Sequence, residues 1–159
     1  MITPEMLSLH SFFKSISQKE LETIANISSD VTFEDGEVIF RESHPADALY
    51  ILLKGNVELY FTVEVEYHPE YRKELVFETI KPGDVFGISA LIEPYILTST
   101  ARALKTSRVI RIDAIALRDL CVLDKSLAYT LTSLSAKLAI DRLNNTRLAL
   151  AIVHPSMPY

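Results

Sequence analysis

Apolar residues recur at helical spacing toward both ends of the chain and at strand spacing between them. Across residues 5 to 27, Leu7, Phe12, Phe13 and Ile16 mark one apolar face, which Leu21, Ile24 and Ala25 continue. That spacing predicts helices packed by this face onto the main body. Ser17 and Glu20 have the separation of a capping box, which starts the second helix. From Val31 the period shortens. Val31–Phe33, Glu37–Phe40, Leu49–Leu53, Val57–Val63, Glu74–Ile80, Ser99–Leu104 and Arg108–Ile112 are short β-branched or aromatic runs. Glu34-Asp35-Gly36, Ser43-His44-Pro45 and Lys54-Gly55-Asn56 separate them and read as turns, with Gly36 and Gly55 in tight turns between strands. Residues 64–73, rich in charge and tyrosine, predict an exposed hairpin end. Short strands at near-regular spacing indicate an all-β sandwich or roll.

Helical character returns at Asp113, which can cap Ala114–Leu120, and Asp124 can cap a longer helix after it. In that helix Leu127, Leu131, Leu134 and Leu138 alternate spacings of four and three, a heptad seam. Ala128, Ser135, Ala139, Ile140 and Leu143 widen the apolar face. The helix should fade near Leu150, with His154-Pro155 and Pro158 ending it. The width of the stripe favours a homodimer through this helix over packing on the chain's own sheet.

Composition narrows the function. A length of 159 residues suits one domain with a sizeable core. A net charge of −5, from 21 acidic and 16 basic side chains, argues against a dedicated nucleic-acid binder. The N-terminus lacks the pattern of a signal peptide, and no apolar run approaches membrane-span length, so a cytoplasmic protein with no membrane contact is expected. The lone Cys121 reads as a buried, reduced thiol; a redox sensor is the alternative, disfavoured because no basic neighbour would stabilise its thiolate. An enzyme reading needs a metal cluster or a nucleophile with its base. His10, His44, His68 and His154 form no mid-strand pair, and no Ser-His-Asp or Cys-His context is evident. No metal, no cofactor and no catalytic residue are therefore assigned.

The chemistry concentrates between Lys81 and Arg102. Pro82-Gly83 signals a turn, Val85-Phe86 a short apolar approach, and Gly87 opens the small-residue segment Ile88-Ser89-Ala90-Leu91. A loop leads to the hydroxyl-rich run Thr98-Ser99-Thr100. Glycine before a short helical turn, facing hydroxyls, is backbone suited to cradling a phosphate.

These features in order resemble the cyclic nucleotide-binding domains, which include the catabolite activator protein, kinase regulatory subunits and cyclic-nucleotide-gated channels. The resemblance spans nearly the whole chain. It rests on Phe12-Phe13-Lys14 with Leu21, on the stretches 33–40 and 47–55, and on Pro82-Gly83-Asp84-Val85-Phe86-Gly87. All 4 glycines of the chain fall where that family uses glycine. The resemblance implies a β-roll of the double-stranded jelly-roll type: mainly β with flanking α. It is read as a single domain over 1–159, with N-terminal helices over 1–30, the roll over 31–112 and C-terminal helices over 113–152.

The departures from the family pattern matter more. The family places a glutamate, which holds the ribose hydroxyl, after Phe-Gly; here the position is Ile88. Its phosphate-pairing arginine falls on Leu97, and no Arg or Lys lies between Lys81 and Arg102. Arg102 itself lies outside the phosphate position and reads as an exposed strand residue. A charge-assisted hydrogen bond is worth roughly 1.5–3 kcal/mol. Losing both partners removes ~4 kcal/mol, enough to turn a micromolar dissociation constant into about millimolar. The resemblance thus implies a degenerate phosphate cassette formed by Phe86, Gly87, Ile88, Ser89, Ala90, Leu91, Leu97, Thr98 and Ser99, open to a nucleotide-like or uncharged small molecule. Dimerisation is assigned to Leu127, Leu131, Leu134 and Leu138. The expectation is a non-catalytic regulatory domain signalling through its C-terminal helix. The alternatives are a ligand-free dimerisation or protein-interaction module, and a cyclic-nucleotide binder with a non-standard site. No helix-turn-helix follows the long helix, so output through a protein partner rather than direct DNA binding is expected.

Overall fold

The computed structural model describes residues 1–65 and 68–153. Helix α1 (Pro4–Ser8), a 3-10 turn (Ser11–Phe13) and α2 (Gln18–Asn26) precede the strands. Strands β1 (Ser28–Phe33), β2 (Val38–Phe40), β3 (Ala48–Val65), β4 (His68–Ile80), β5 (Val85–Phe86) and β6 (Thr100–Asp113) follow, with a second 3-10 turn (Ile88–Leu91) between β5 and β6. Helices α3 (Ala114–Leu123) and α4 (Lys125–Val153) come last. The strands form one 6-stranded antiparallel sheet ordered β1-β6-β3-β4, with β2 also on β6 and β5 also on β3. A mainly β body carries flanking helices, as a β-roll requires.

The caps are where the sequence puts them. Ser17 Oγ accepts from Glu20 N while the Glu20 carboxylate accepts from Ser17 N at 2.7 Å, satisfying two orphan donors reciprocally. Asp113 accepts from Ala116 N at 2.9 Å, and Asp124 from Leu127 N at 3.0 Å.

The apolar run at Leu49–Leu53 is continuous because β3 is covered on both faces. Ala48, Tyr50 and Leu52 pack with Leu59, Phe86, Ala101 and Val109 in one cluster. Leu49 and Ile51 pack with Ile110, Ile112 and the helices in the other. The two-residue period thus divides one strand between the roll interior and the layer beneath the helices. Phe40, Tyr50 and Phe86 line the interior, with Tyr50 stacked on Phe86 at 5.1 Å.

Several expectations need correcting. Lys54-Gly55-Asn56 is not a turn: β3 runs through it, with register shifts against β6 between Leu52 and Val57. Gly55 sits in that bulge at φ +117°, where a Cβ would lie 2.2 Å from Ser107 Oγ and 2.6 Å from Ser107 Cα. The close approach, rather than chain reversal, demands glycine. Ser99–Leu104 and Arg108–Ile112 likewise merge into β6. Strand β1 begins at Ser28, inside the stretch assigned to helices. Helix α4 continues past Leu150 to Val153, and its ending at His154-Pro155 and Pro158 falls outside the described residues. The β3–β4 hairpin pairs Val57 with Ile80 through to Val65 with His68, and Glu64, Glu70 and Arg72 near its end are exposed; Glu66 and Tyr67 lie outside the described residues.

The heptad seam is the largest correction. Leu127 and Leu131 are buried in the chain's own core with Leu7, Phe13, Leu21 and Ile24, and Leu134 and Leu138 pack against it. The leucines assigned to a dimer are the face by which α4 docks on its own domain. The N-terminal helices supply the apolar partner that the periodicity alone could not name. Ile140 and Leu143, read as widening that face, point away from it and are exposed.

Candidate functional site

Gly87, at φ +76°, follows β5 and caps the second 3-10 turn, and a Cβ there would lie 3.0 Å from Ala48 O and 3.1 Å from the Tyr50 ring. Beneath it lies a cavity of about 160 Å³. Gly87, Ile88, Ser89, Leu97, Thr98 and Ser99 line it from the cassette. Phe40, Leu59 and Phe77 line it from the sheet, and Ala139 and Arg142 come from α4. The structure therefore brings together most of the cassette residues read from the sequence. Phe86, Ala90 and Leu91 are not among the lining residues. Phe86 is fully buried in the roll interior, Ala90 is fully buried against the helical layer, and Leu91 packs at the edge of that layer.

Ile88 and Leu97, which the resemblance sets at the family's glutamate and arginine positions, put hydrocarbon on the wall. Leu97 is only 5% exposed. The cassette's own polar groups are Ser89, Thr98 and the buried Ser99.

A basic side chain reaches the cavity wall from α4. The Arg142 guanidinium donates to Val85 O, just before Gly87. Burial lowers its pKa, opposed by the more distant carboxylates of Glu78 and Asp84. Among the described residues no carboxylate pairs with it, and Val85 O is its one hydrogen-bond acceptor. Arg142 also lines a neighbouring groove of about 390 Å³, together with Glu78, Asp84, Lys137 and Asp141. The sequence carried one signal for it: Arg142 follows Leu138 by four residues and so extends the buried stripe of α4.

A second arginine holds the 3-10 turn itself. Arg118 of α3 donates to Ala90 O at 2.8 Å and stacks over the Tyr95 ring at 4.3 Å. Both C-terminal helices thus hold this backbone, α4 at Val85 before the 3-10 turn and α3 at Ala90 within it.

Arg102, expected as an exposed strand residue, is instead held in an ion-pair cluster. It bonds Glu58 and Glu74, the latter at 2.9 Å, and lies over Tyr60 at 4.6 Å. Those carboxylates push its pKa up, and it does not line the cassette cavity. Cys121 is half-buried, and burial and Asp124 raise its thiol pKa, the opposite of what a reactive thiolate needs. Among the described residues no group of His, Cys, Asp and Glu is placed to hold a metal ion, and no helix is long and apolar enough to cross a membrane.

A β-roll with a glycine-led turn over a small cavity, and a C-terminal helix roofing that cavity, has the architecture of a regulatory sensor domain. The chain belongs to the cyclic nucleotide-binding domain family, whose sequence profile matches residues 30–124. A cAMP-dependent protein kinase regulatory subunit of Dictyostelium discoideum is 29% identical over 118 residues, covering 74% of this chain and 35% of that protein. A solved structure described as a cyclic nucleotide-binding protein of Geobacter metallireducens GS-15 is 38% identical with a TM-score of 0.78, covering 90% of this chain and 99% of that one. The sensor domain of the transcriptional regulator DNR of Pseudomonas aeruginosa is 25% identical with a TM-score of 0.67, covering 98% and 95% of the two chains. The chain spans less than half the length of the curated relatives it matches.

Proposed function

We propose that this chain is a sensor domain that does not bind cAMP or cGMP in the family's usual way. It takes a different small ligand in the cassette cavity and signals through its C-terminal helices. The observation that carries this is the cavity wall: Ile88 and Leu97 occupy the glutamate and arginine positions of the family pattern, and α4 closes over them. The grip of Arg118 and Arg142 on Ala90 O and Val85 O supports the signalling half, because a ligand that moves the 3-10 turn also pulls on α3 and α4.

Thermal unfolding with and without 1 mM cAMP or cGMP tests the reading. A ligand at 100 times its dissociation constant stabilises by ~2.7 kcal/mol. For a domain of this size that raises the melting temperature by roughly 5–10 °C. The expected shift is under about 1 °C; a shift of the full size with either nucleotide sinks the proposal.

The outer face of α4 favours a second, compatible reading, a homodimer or protein-interaction surface. Tyr129, Ser133, Ala136, Ile140, Leu143, Arg147 and Leu150 lie at alternating spacings of four and three, and all are exposed. This is a second heptad seam, on the side of the helix opposite Leu127–Leu138. A second copy of the chain, offering the same stripe, is the proposed occupant. Light scattering at high micromolar concentration is expected to give twice the monomer mass, and Ile140→Asp is expected to return it to monomer. A monomeric wild type overturns the dimer.

A further inference from the structure

We infer that Arg142 of α4 is the anion-binding residue of the cassette cavity, and that with α4 docked the site takes a ligand bearing one phosphate or carboxylate group and smaller than a nucleotide. This deepens the sensor reading above and rests on it. Charge, donors and size each bear on the assignment.

A largely buried guanidinium is costly unless an anion or several acceptors meet it. Arginine has five N–H donors in a fixed fork suited to bidentate oxyanions. Among the described residues Arg142 uses one acceptor, Val85 O, and has no carboxylate in contact. Most of the fork is therefore unused, on a side chain that lines both the neighbouring groove it shares with Val85 and the cavity that presents Ser89, Thr98 and Ser99. An oxyanion there would meet a cation on one side and hydroxyl donors on the other. The cassette residues on that wall include no carboxylate that would repel it. The acids near Arg142, namely Glu78, Asp84 and Asp141, line the neighbouring groove, together with Val85, and none of them lines the cavity.

Size sets the class. Sites for drug-sized ligands occupy about 300–1,000 Å³. The cavity holds about 160 Å³, below that range. Phe40, Leu59, Ile88 and Leu97 supply apolar wall, so a compact anion with a short apolar body matches the lining. Anything as large as a nucleotide would have to displace Ala139 and Arg142, and hence α4.

The assignment also gives α4 a role in sensing. A ligand anion would bond the same guanidinium that holds Val85 O on β5, so occupancy changes how α4 is held. In the familiar pattern the counter-charge sits on the cassette loop; here it sits on the output helix.

The test is calorimetric titration of the full chain, at constant ionic strength, with inorganic phosphate, methyl phosphate, acetate and oxalate. Adenosine serves as an uncharged control and cAMP as the large anion. Arg142→Gln and Arg142→Lys are titrated alongside. Lys137→Gln is the control, because Lys137 lines the neighbouring groove and not the cavity. Saturable binding of a phosphate or a carboxylate probe to wild type and Lys137→Gln is expected, and which probe binds identifies the anion. Arg142→Gln should weaken it ~10–100-fold and Arg142→Lys by less. Melting curves of the ligand-free variants establish that each is folded. Absence of saturable binding by any small anion to wild type overturns the inference, as does equal binding to Arg142→Gln. Binding of cAMP that depends on Arg142 would uphold the charge assignment, overturn the size limit, and separately defeat the reading that cyclic nucleotides are excluded.

Discussion

Leu131→Ala is expected to lower the unfolding free energy by about 2–5 kcal/mol, the range for emptying a fully enclosed leucine site. Leu131 has no exposed surface and lies in the same cluster as Leu7, Phe13 and Ile24. Its loss opens a void between α4 and the N-terminal helices, where elements on several sides limit collapse. At ~2–4 °C per kcal/mol for a chain of this length, the melting temperature should fall by roughly 5–15 °C. Ile140→Ala on the same helix, 59% exposed, should stay within about 0.5 kcal/mol for the monomer. Urea denaturation of dilute protein, below the concentration at which copies associate, measures both. If Leu131→Ala left stability unchanged and abolished association, the inner stripe would be intermolecular and the docking of α4 described here would be wrong.

Gly55→Ala should be of similar severity for a different reason. The new methyl meets Ser107 Cα at 2.6 Å, so a backbone atom must move as well as the Ser107 hydroxyl. A φ of +117° is also closed to ordinary side chains. Overpacking contributes about 1–3 kcal/mol and the backbone strain about 1–3 more. Adding Ser107→Gly removes the Cβ and Oγ clashes but leaves the Cα, so the double variant should recover only part of the loss. Gly36→Ala, with nothing within 4 Å, separates the two contributions because it carries conformational strain alone. Equal melting temperatures for Gly55→Ala and Gly36→Ala would show that the close approach to Ser107 does not matter.

The two glycine environments show what local sequence resolves. Gly36 and Gly55 both follow a charged residue between strand-like runs, and both have positive φ. Only the first ends a strand, because a bulge and a turn ask for the same residue type. What separates them is the partner strand: β6 runs alongside β3 on both sides of Gly55. Caps were legible because Ser17–Glu20 and Asp113–Ala116 close within one turn of chain. The cassette was legible for the same reason, as most of its lining lies within residues 87–99. The leucine seam was found, but its partner was not: a heptad states that a face is buried and says nothing of whose surface covers it. Arg142 was missed because its place in the site depends on where α4 crosses the cassette, which no segment of sequence encodes by itself.

Strand β6 holds β1, β2 and β3 in register, Ser28 pairing with Ile112 and Ala48 with Asp113. The sheet's central member is thus the last strand to be synthesised. Until residues beyond Thr100 exist, β1 and β2 have no strand to pair with, and β3 has only its hairpin partner β4 and the short β5. Closing loops of this length raises contact order, which slows folding and prolongs the exposure of half-paired apolar strands. Order of synthesis and order of assembly run in opposite directions here: the N-terminal strands wait for the C-terminal third of the chain, and α3 and α4, which seal the cassette, arrive after the strand that closes the sheet.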